Sequence, residues 1–197
     1  IRQRLLRRTR LDLILHDHSL WKVITVPEIN TDFAVRDRYS AAAQQREPEL
    51  CCPVSYDPKF LRVIPEEVIE RDYGCGDPSK YVREGEAVLD LGSGGGKICF
   101  IASQVVGPSG SVIGVDQNDD MLQLARDSQA EVASRIGYDN VRFLKGRIQD
   151  LQIDLDRVDA YLAEHPIHSE ADLRRLEAFQ DEMRSSEPMI ADDSIDV

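Results

Sequence analysis

Three short apolar runs, Ala87–Leu91, Ser111–Val115 and Val141–Leu144, alternate with two helical patterns between them. The first is an apolar run closed by glycines, as strands buried on both faces of a parallel sheet are, and the second reads as another such strand. The first closes on a glycine-dense loop and the second ends at an acid, Asp116. Strand and helix alternating at this spacing predict an α/β fold, the βαβαβ N-terminal half of a Rossmann-like, doubly wound parallel sheet. Such sheets bind ligands at the carboxyl ends of their strands.

Taken in chain order, residues 1–33 are an N-terminal extension, Arg-rich at first and then irregular, with no readable register. Residues 34–84 form a helical cap and cysteine-bearing segment. Thr31 or Asp32 caps a short helix whose Phe33, Val35, Tyr39 and Ala42 or Ala43 recur at helical spacing. Pro53, Pro58 and Pro65 punctuate the next stretch, which reads as loop, and EEVIERDYGCGDP reads as a short helix ended by Gly74 and Gly76. Residues 85–197 are the partial sheet domain. Its first helix carries Ile98, Phe100, Ile101, Ala102, Val105 and Val106 and stops at Gly107. Asp119 is the expected cap of the second, which carries Met121, Leu122, Leu124, Ala125, Val132 and Ile136 and stops at Gly137. At about 152–190 a helical insertion is expected. Ser169 with Asp172 caps it, and Leu173, Leu176, Phe179 and Met183 share one face. The final IADDSIDV reads as the approach to another strand. The chain is therefore expected to be a fragment cut after the third strand, poorly stable and inactive by itself, with an uncovered sheet edge.

Composition narrows the partners. A net charge of −12 argues against nucleic acid and against an anionic membrane surface, and favours a small-molecule substrate. No apolar run approaches the roughly 20 residues that cross a bilayer. Asp12, His16, Asp17 and His18 break the segment after the basic start, so an export signal is not expected. The four cysteines sit in a chain with core enough to need no disulfide staples, which points to a reducing cytoplasm and a chemical role for any special thiol. His165 and His168 lie in a loop with no third ligand nearby, so no metal site is expected there.

The glycine loop, Asp90-Leu-Gly-Ser-Gly-Gly-Gly96-Lys97, fits neither phosphate fingerprint. A P-loop needs glycine where Leu91 stands and a hydroxyl where Ile98 stands. A dinucleotide loop needs its last glycine where Lys97 or Cys99 stands. What remains is Asp90, Gly92, Gly94 and Gly96, followed by Asp116 after the second strand. That pattern suits S-adenosylmethionine, which has a cationic sulfonium and amino group, a ribose diol and no phosphate. Glycines admit the amino-acid moiety close to the backbone, and the strand-two acid accepts the ribose hydroxyls.

In these residues the sequence resembles the class I S-adenosylmethionine-dependent methyltransferases, and within them the arsenite methyltransferases. The resemblance is carried by RDYGCGDP (Arg71 to Pro78), VLDLGSGGGKICF (Val88 to Phe100), VGPSGSVIGVDQNDDMLQLAR (Val106 to Arg126) and GYDNVRFLKGRIQDL (Gly137 to Leu151). It covers about residues 35 to 151 plus the last few. The long acidic stretch after Asp150 departs from the family's short connection.

The resemblance implies roles for particular residues. Asp90, Gly92, Ser93 and Gly94 would hold the methionine moiety and Asp116 the ribose; Gln117 and Met121 would lie near the cofactor. Arg147 and Ile148 would border the adenine, and Tyr73 would close over the sulfonium end. Cys75, with Cys52 or Cys51, would ligate trivalent arsenic, a soft and thiophilic ion that takes three thiolates, with a thiol reductant as co-substrate. Cys99 reads as a buried residue of the first helix. Two alternatives stand: a methyltransferase of another small molecule (a quinone, lipid or thiol) with Cys51, Cys52 and Cys75 as bystanders, and a non-catalytic cofactor-binding module.

Overall fold

The computed structural model describes residues 38–40, 55–71, 73 and 76–197. The N-terminal extension, most of the expected cap helix, Cys51, Cys52, Gly74 and Cys75 lie outside the described residues.

The sheet is parallel, with strands β1 (Ala87–Leu91), β2 (Ser111–Asp116) and β3 (Val141–Lys145) in that order, Leu89 opposite Ile113 and Gly114 opposite Phe143. Both crossovers step the same way across the sheet, and right-handed connections of that kind put their helices on one face. Those helices, Lys97–Val106 and Asp119–Ile136, pack together over a core of Phe100, Ile101, Leu122, Ala125 and Phe143. Phe100 and Phe143 meet edge to face with ring centroids 5.5 Å apart, a favoured aromatic geometry. The parallel α/β sheet predicted from the apolar runs is therefore present, with strand limits within a residue of those expected.

Labelled in chain order, the helices are α1 (Pro58–Leu61), α2 (Glu66–Glu70), α3 (Lys97–Val106), α4 (Asp119–Ile136), α5 (Leu155–Glu164) and α6 (Glu170–Ser186). Helix α1 lies in a stretch expected to be loop. Pro58 stands at its start, where a missing amide hydrogen costs nothing, and the Asp57 carboxylate accepts the Lys59 amide. Helix α2 ends at Glu70, with Arg71 as its C-cap, before the glycines expected to stop it. The cap of α4 is Asn118, not Asp119. Asn118 is extended, so its Oδ1 reaches back to accept the Asp120 and Met121 amides, while Asp119 is the first helical residue and pairs with Lys145 at 2.6 Å.

The insertion after β3 is a pair of helices rather than one. Asp154 caps α5 by accepting the Asp156 and Arg157 amides, and Ser169 caps α6 with Asp172 as expected. Ile153, Val158 and Met183 form a small core between them, backed by Leu176 and Phe179. Leu173, expected on the same apolar face, is 45% exposed instead. The hairpin closes at its base: the Met189 amide donates to the Gln152 carbonyl and the Ile190 amide to the Leu151 carbonyl, each at 3.0 Å.

At the other edge of the sheet the Leu89 amide donates to the Val197 carbonyl at 2.9 Å, and the Val197 amide donates to the Ala87 carbonyl at 3.3 Å. This is the bonding pattern of a parallel neighbour of β1, where the sequence places the approach to another strand. Among the described residues, no helix is long and apolar enough to cross a membrane.

Candidate functional site

The carboxyl ends of β1, β2 and β3 open into one cleft of about 650 Å³. Its floor is the loop between β1 and α3. The amides of Gly92 and Ser93 donate to the Val115 carbonyl at 2.8 and 3.1 Å, which ties the loop across the top of β2. Gly94 has φ +50 and, among the described residues, no atom stands within 4 Å of where its Cβ would be; the same holds at Gly92. The loop thus presents bare backbone to the cleft. Gly96 is needed for a different reason. It combines φ +86 with a Cβ position only 2.6 Å from Cζ of Phe143, so the ring is what closes the loop down onto the sheet.

Asp116, at the end of β2, joins this floor to the start of α4. One carboxylate oxygen accepts the Gly94 amide at 2.9 Å and the other accepts the Asn118 amide at 2.8 Å. Each oxygen keeps a further lone pair, so a carboxylate fixed from behind still has acceptors for a ligand in the cleft. Asp90, at the end of β1, is held in a similar way. The buried Cys99 thiol donates to Asp90 Oδ2 at 3.3 Å, and burial, followed by the nearby Asp90 charge, pushes that thiol's pKa well above its ordinary value. The place for Cys99 comes from Gly114 of β2, where a Cβ would stand 2.8 Å from both Cys99 Sγ and Ser93 Oγ. Ser93 Oγ is buried and has no hydrogen-bond partner among the described residues.

The walls come from more distant segments. Tyr73 is buried and meets Tyr39 edge to face at a centroid distance of 6.2 Å, and Ser40 accepts from Asn118 Nδ2 at 3.0 Å, so the helical residues 38–40 sit against the cap of α4. Arg71, Asp77 and Tyr81 face the cleft on this side. Gln117 and Met121 line the wall above α4, while Arg147 and the exposed Ile148 line the turn after β3.

Every residue that the sequence assigns to a cofactor borders this one cleft: Tyr73, Asp90, Gly92, Ser93, Gly94, Asp116, Gln117, Met121, Arg147 and Ile148. The proposed arsenic ligands Cys51, Cys52 and Cys75 lie outside the described residues. Cys99 is buried in α3, as expected, and does not border the cleft. Sequence reasoning missed Tyr39, Arg71, Asp77 and Tyr81 as wall residues. Only RDYGCGDP held a signal, since its Arg71 and Asp77 flank the tyrosine and cysteine already singled out.

Comparison with known proteins places the chain among similar ones. A family model described as a methyltransferase domain matches residues 83–185. An arsenite methyltransferase of Aquipseudomonas alcaligenes is 42% identical over 105 residues, covering 51% of this chain and 30% of that protein. One of Halobacterium salinarum is 37% identical over 117 residues, covering 58% of this chain and 28% of that protein. A solved arsenic(III) S-adenosylmethionine methyltransferase from Chlamydomonas reinhardtii aligns with a TM-score of 0.45 and 36% identity, covering 54% of this chain and 35% of that one. The chain thus matches less than a third of the length of the two curated relatives.

Proposed function

The chain belongs to the methyltransferase-domain family, as a class I, arsenite methyltransferase-like member, and from that premise we propose that its cleft holds S-adenosylmethionine for methyl transfer to trivalent arsenic. The observation that carries the reading is the pair of acids around bare glycine backbone: Asp90 and Asp116 both border the cleft, and each is fixed by a hydrogen bond from behind. Such a floor repels a phosphate and suits a cationic ligand that carries a diol.

The residues present fit that cofactor. Open space beside Gly92 and Gly94 admits the amino-acid moiety against the loop. Asp116 keeps free lone pairs for the ribose hydroxyls, Asp90 gives the amino group a counter-charge, and Arg147 and Ile148 flank the adenine end. Gln117 and Met121 line the wall between. Tyr73, braced by Tyr39, covers the sulfonium end with an aromatic edge and excludes water there. When bound, S-adenosylmethionine supplies a methyl group made electrophilic by its sulfonium.

The acceptor side of the proposal draws on the arsenite methyltransferases that the chain resembles and on the thiols of Cys51, Cys52 and Cys75, the proposed arsenic ligands. Trivalent arsenic carries a lone pair and no proton to remove, so the chain has no need of a general base. Its work is to hold the acceptor in line with the donor and keep water out. A thiol reductant keeps the cysteines reduced and so free to ligate arsenic.

The test is methyl incorporation by the full-length protein from labelled S-adenosylmethionine, with arsenite and a thiol reductant. Methylated arsenic should form, and Cys75→Ser should abolish it. Cofactor binding with no methylated arsenic, but with methylation of a quinone, lipid or thiol, would reassign the acceptor.

A further inference from the structure

Lys97 opens α3 directly after the glycine loop and is only 6% exposed. A buried cation at the positive end of a helix is disfavoured twice, by desolvation and by the helix dipole. One compensation is visible: its Nζ lies 3.9 Å from the centre of the Tyr56 ring, well within cation–π range. The Tyr56 hydroxyl in turn donates to the Gly76 carbonyl at 3.0 Å. The segment that carries Tyr56 is itself fixed to α3, because Gln104 Nε2 donates to the Phe60 carbonyl at 2.9 Å.

We propose that Lys97 and Tyr56 are positioning residues, a strut that sets the cleft wall at Tyr73, Gly76 and Asp77 against the glycine-loop floor. Neither side chain borders the cleft, whereas Gly76, Tyr73 and Asp77 do. The strut therefore acts through the wall. It runs from the first residue after the cofactor loop to the residue after Cys75, so it fixes the distance between the donor side of the cleft and the chain that supplies the acceptor's proposed ligand. The assignment of those two sides rests on the methyltransferase reading above; the strut itself rests on the three contacts.

The experiment uses the full-length protein and three variants. Lys97→Met removes the charge and keeps an unbranched stem, Lys97→Arg keeps a cation, and Tyr56→Phe keeps the ring but removes the donor to Gly76. Amide hydrogen exchange should be about tenfold faster across residues 71–81 in Lys97→Met and Tyr56→Phe. Exchange across residues 88–96 should not change. In the same two variants the KM for arsenite should rise about tenfold while the S-adenosylmethionine dissociation constant stays within about threefold. Lys97→Arg should restore both. Unchanged exchange at 71–81, or equal acceleration at 71–81 and 88–96, overturns the strut. Local acceleration with an unchanged KM overturns its positioning role. Local acceleration in a protein whose wild type methylates no arsenite sustains the strut and rejects the acceptor assignment instead.

Discussion

Asp116 accepts the Gly94 amide at 2.9 Å, which bonds the carboxyl end of β2 to a loop 22 residues earlier in the chain. The bond holds the loop and the acid in one geometry before any ligand arrives. A preorganised pair of this kind loses less on binding than two mobile groups do.

Asp116→Ala removes both the loop anchor and the proposed acceptor of the ribose hydroxyls. Hydrogen bonds to a charged group contribute about 1.5–3 kcal/mol each, so affinity for S-adenosylmethionine should fall by roughly 100-fold or more. Isothermal titration calorimetry on the full-length protein measures it. Equal affinity in the variant would remove Asp116 from the ribose assignment.

Two loop glycines should separate stability from affinity. Alanine at Gly96 meets both a left-handed backbone and the Phe143 ring, costs of about 1–2 and about 1–3 kcal/mol respectively. Gly94→Ala carries only the backbone cost, because its Cβ enters open space at the cleft. Urea unfolding midpoints should therefore fall further for Gly96→Ala. Conversely, a Gly94→Ala protein that remains folded should bind S-adenosylmethionine more weakly. Matching midpoints would show that Phe143 yields at no cost.

The sequence pattern carried the sheet because each strand is a short, mainly apolar segment set off from the helices by glycines or turns, and it carried the cleft floor because strand ends and their loops are local in sequence. Pro58 misled where punctuation and helix entry look alike: a proline that breaks a helix interior is well placed at its first turn. Helix α5 was not legible, since Asp156 and Asp159, with Asp154 just before them, make LDRVDAYLAE look like solvated loop, and only its packing on α6 through Val158 reveals an inner face. Tyr39, Arg71 and Tyr81 reach the cleft from segments outside the βαβ repeat, so no local spacing could place them there. Gly114 is a similar case: a glycine inside a strand signals close approach, but what approaches, Ser93 and Cys99, is set by tertiary packing.

The helical hairpin should be removable. Its base is closed by the Met189–Gln152 and Ile190–Leu151 backbone bonds, so a short Gly/Ser turn in place of residues 153–188 spans no new gap. The replacement gives up the Arg126–Asp156, Lys145–Asp159 and Arg184–Asp150 ion pairs; partly exposed pairs of this kind contribute about 0–1 kcal/mol each. S-adenosylmethionine affinity is expected to stay within about threefold of wild type, less than 1 kcal/mol. A loss beyond about tenfold would make the hairpin part of the cleft's machinery.

Cys99 should leave a pH signature. Burial first, and then the adjacent Asp90 charge, holds its thiol protonated in the fold well above the pH of about 9.0 at which an unburied thiol ionises. Above that pH the unfolded chain gives up a proton that the folded chain keeps. The folded state then binds more protons, and stability falls as pH rises. Lys145 behaves alike in sign but in a higher window. Although desolvation opposes it, hydrogen bonds to Asp119 and Asp159 raise its pKa from 10.5, and the stabilisation it provides is lost only as pH climbs through that raised value. The comparison that isolates the thiol is wild type against Cys99→Ser, whose hydroxyl still donates to Asp90 but does not titrate. From pH 8 to 10 the stability of wild type relative to the variant should decline, with a slope of at most about 1.4 kcal/mol per pH unit. In the native protein Cys99 should also resist thiol reagents when Cys51, Cys52 and Cys75 are replaced by serine, and react only on unfolding. A flat difference between wild type and Cys99→Ser across that range would mean that the thiol ionises as readily folded as unfolded, and Asp90 would lose its proposed donor.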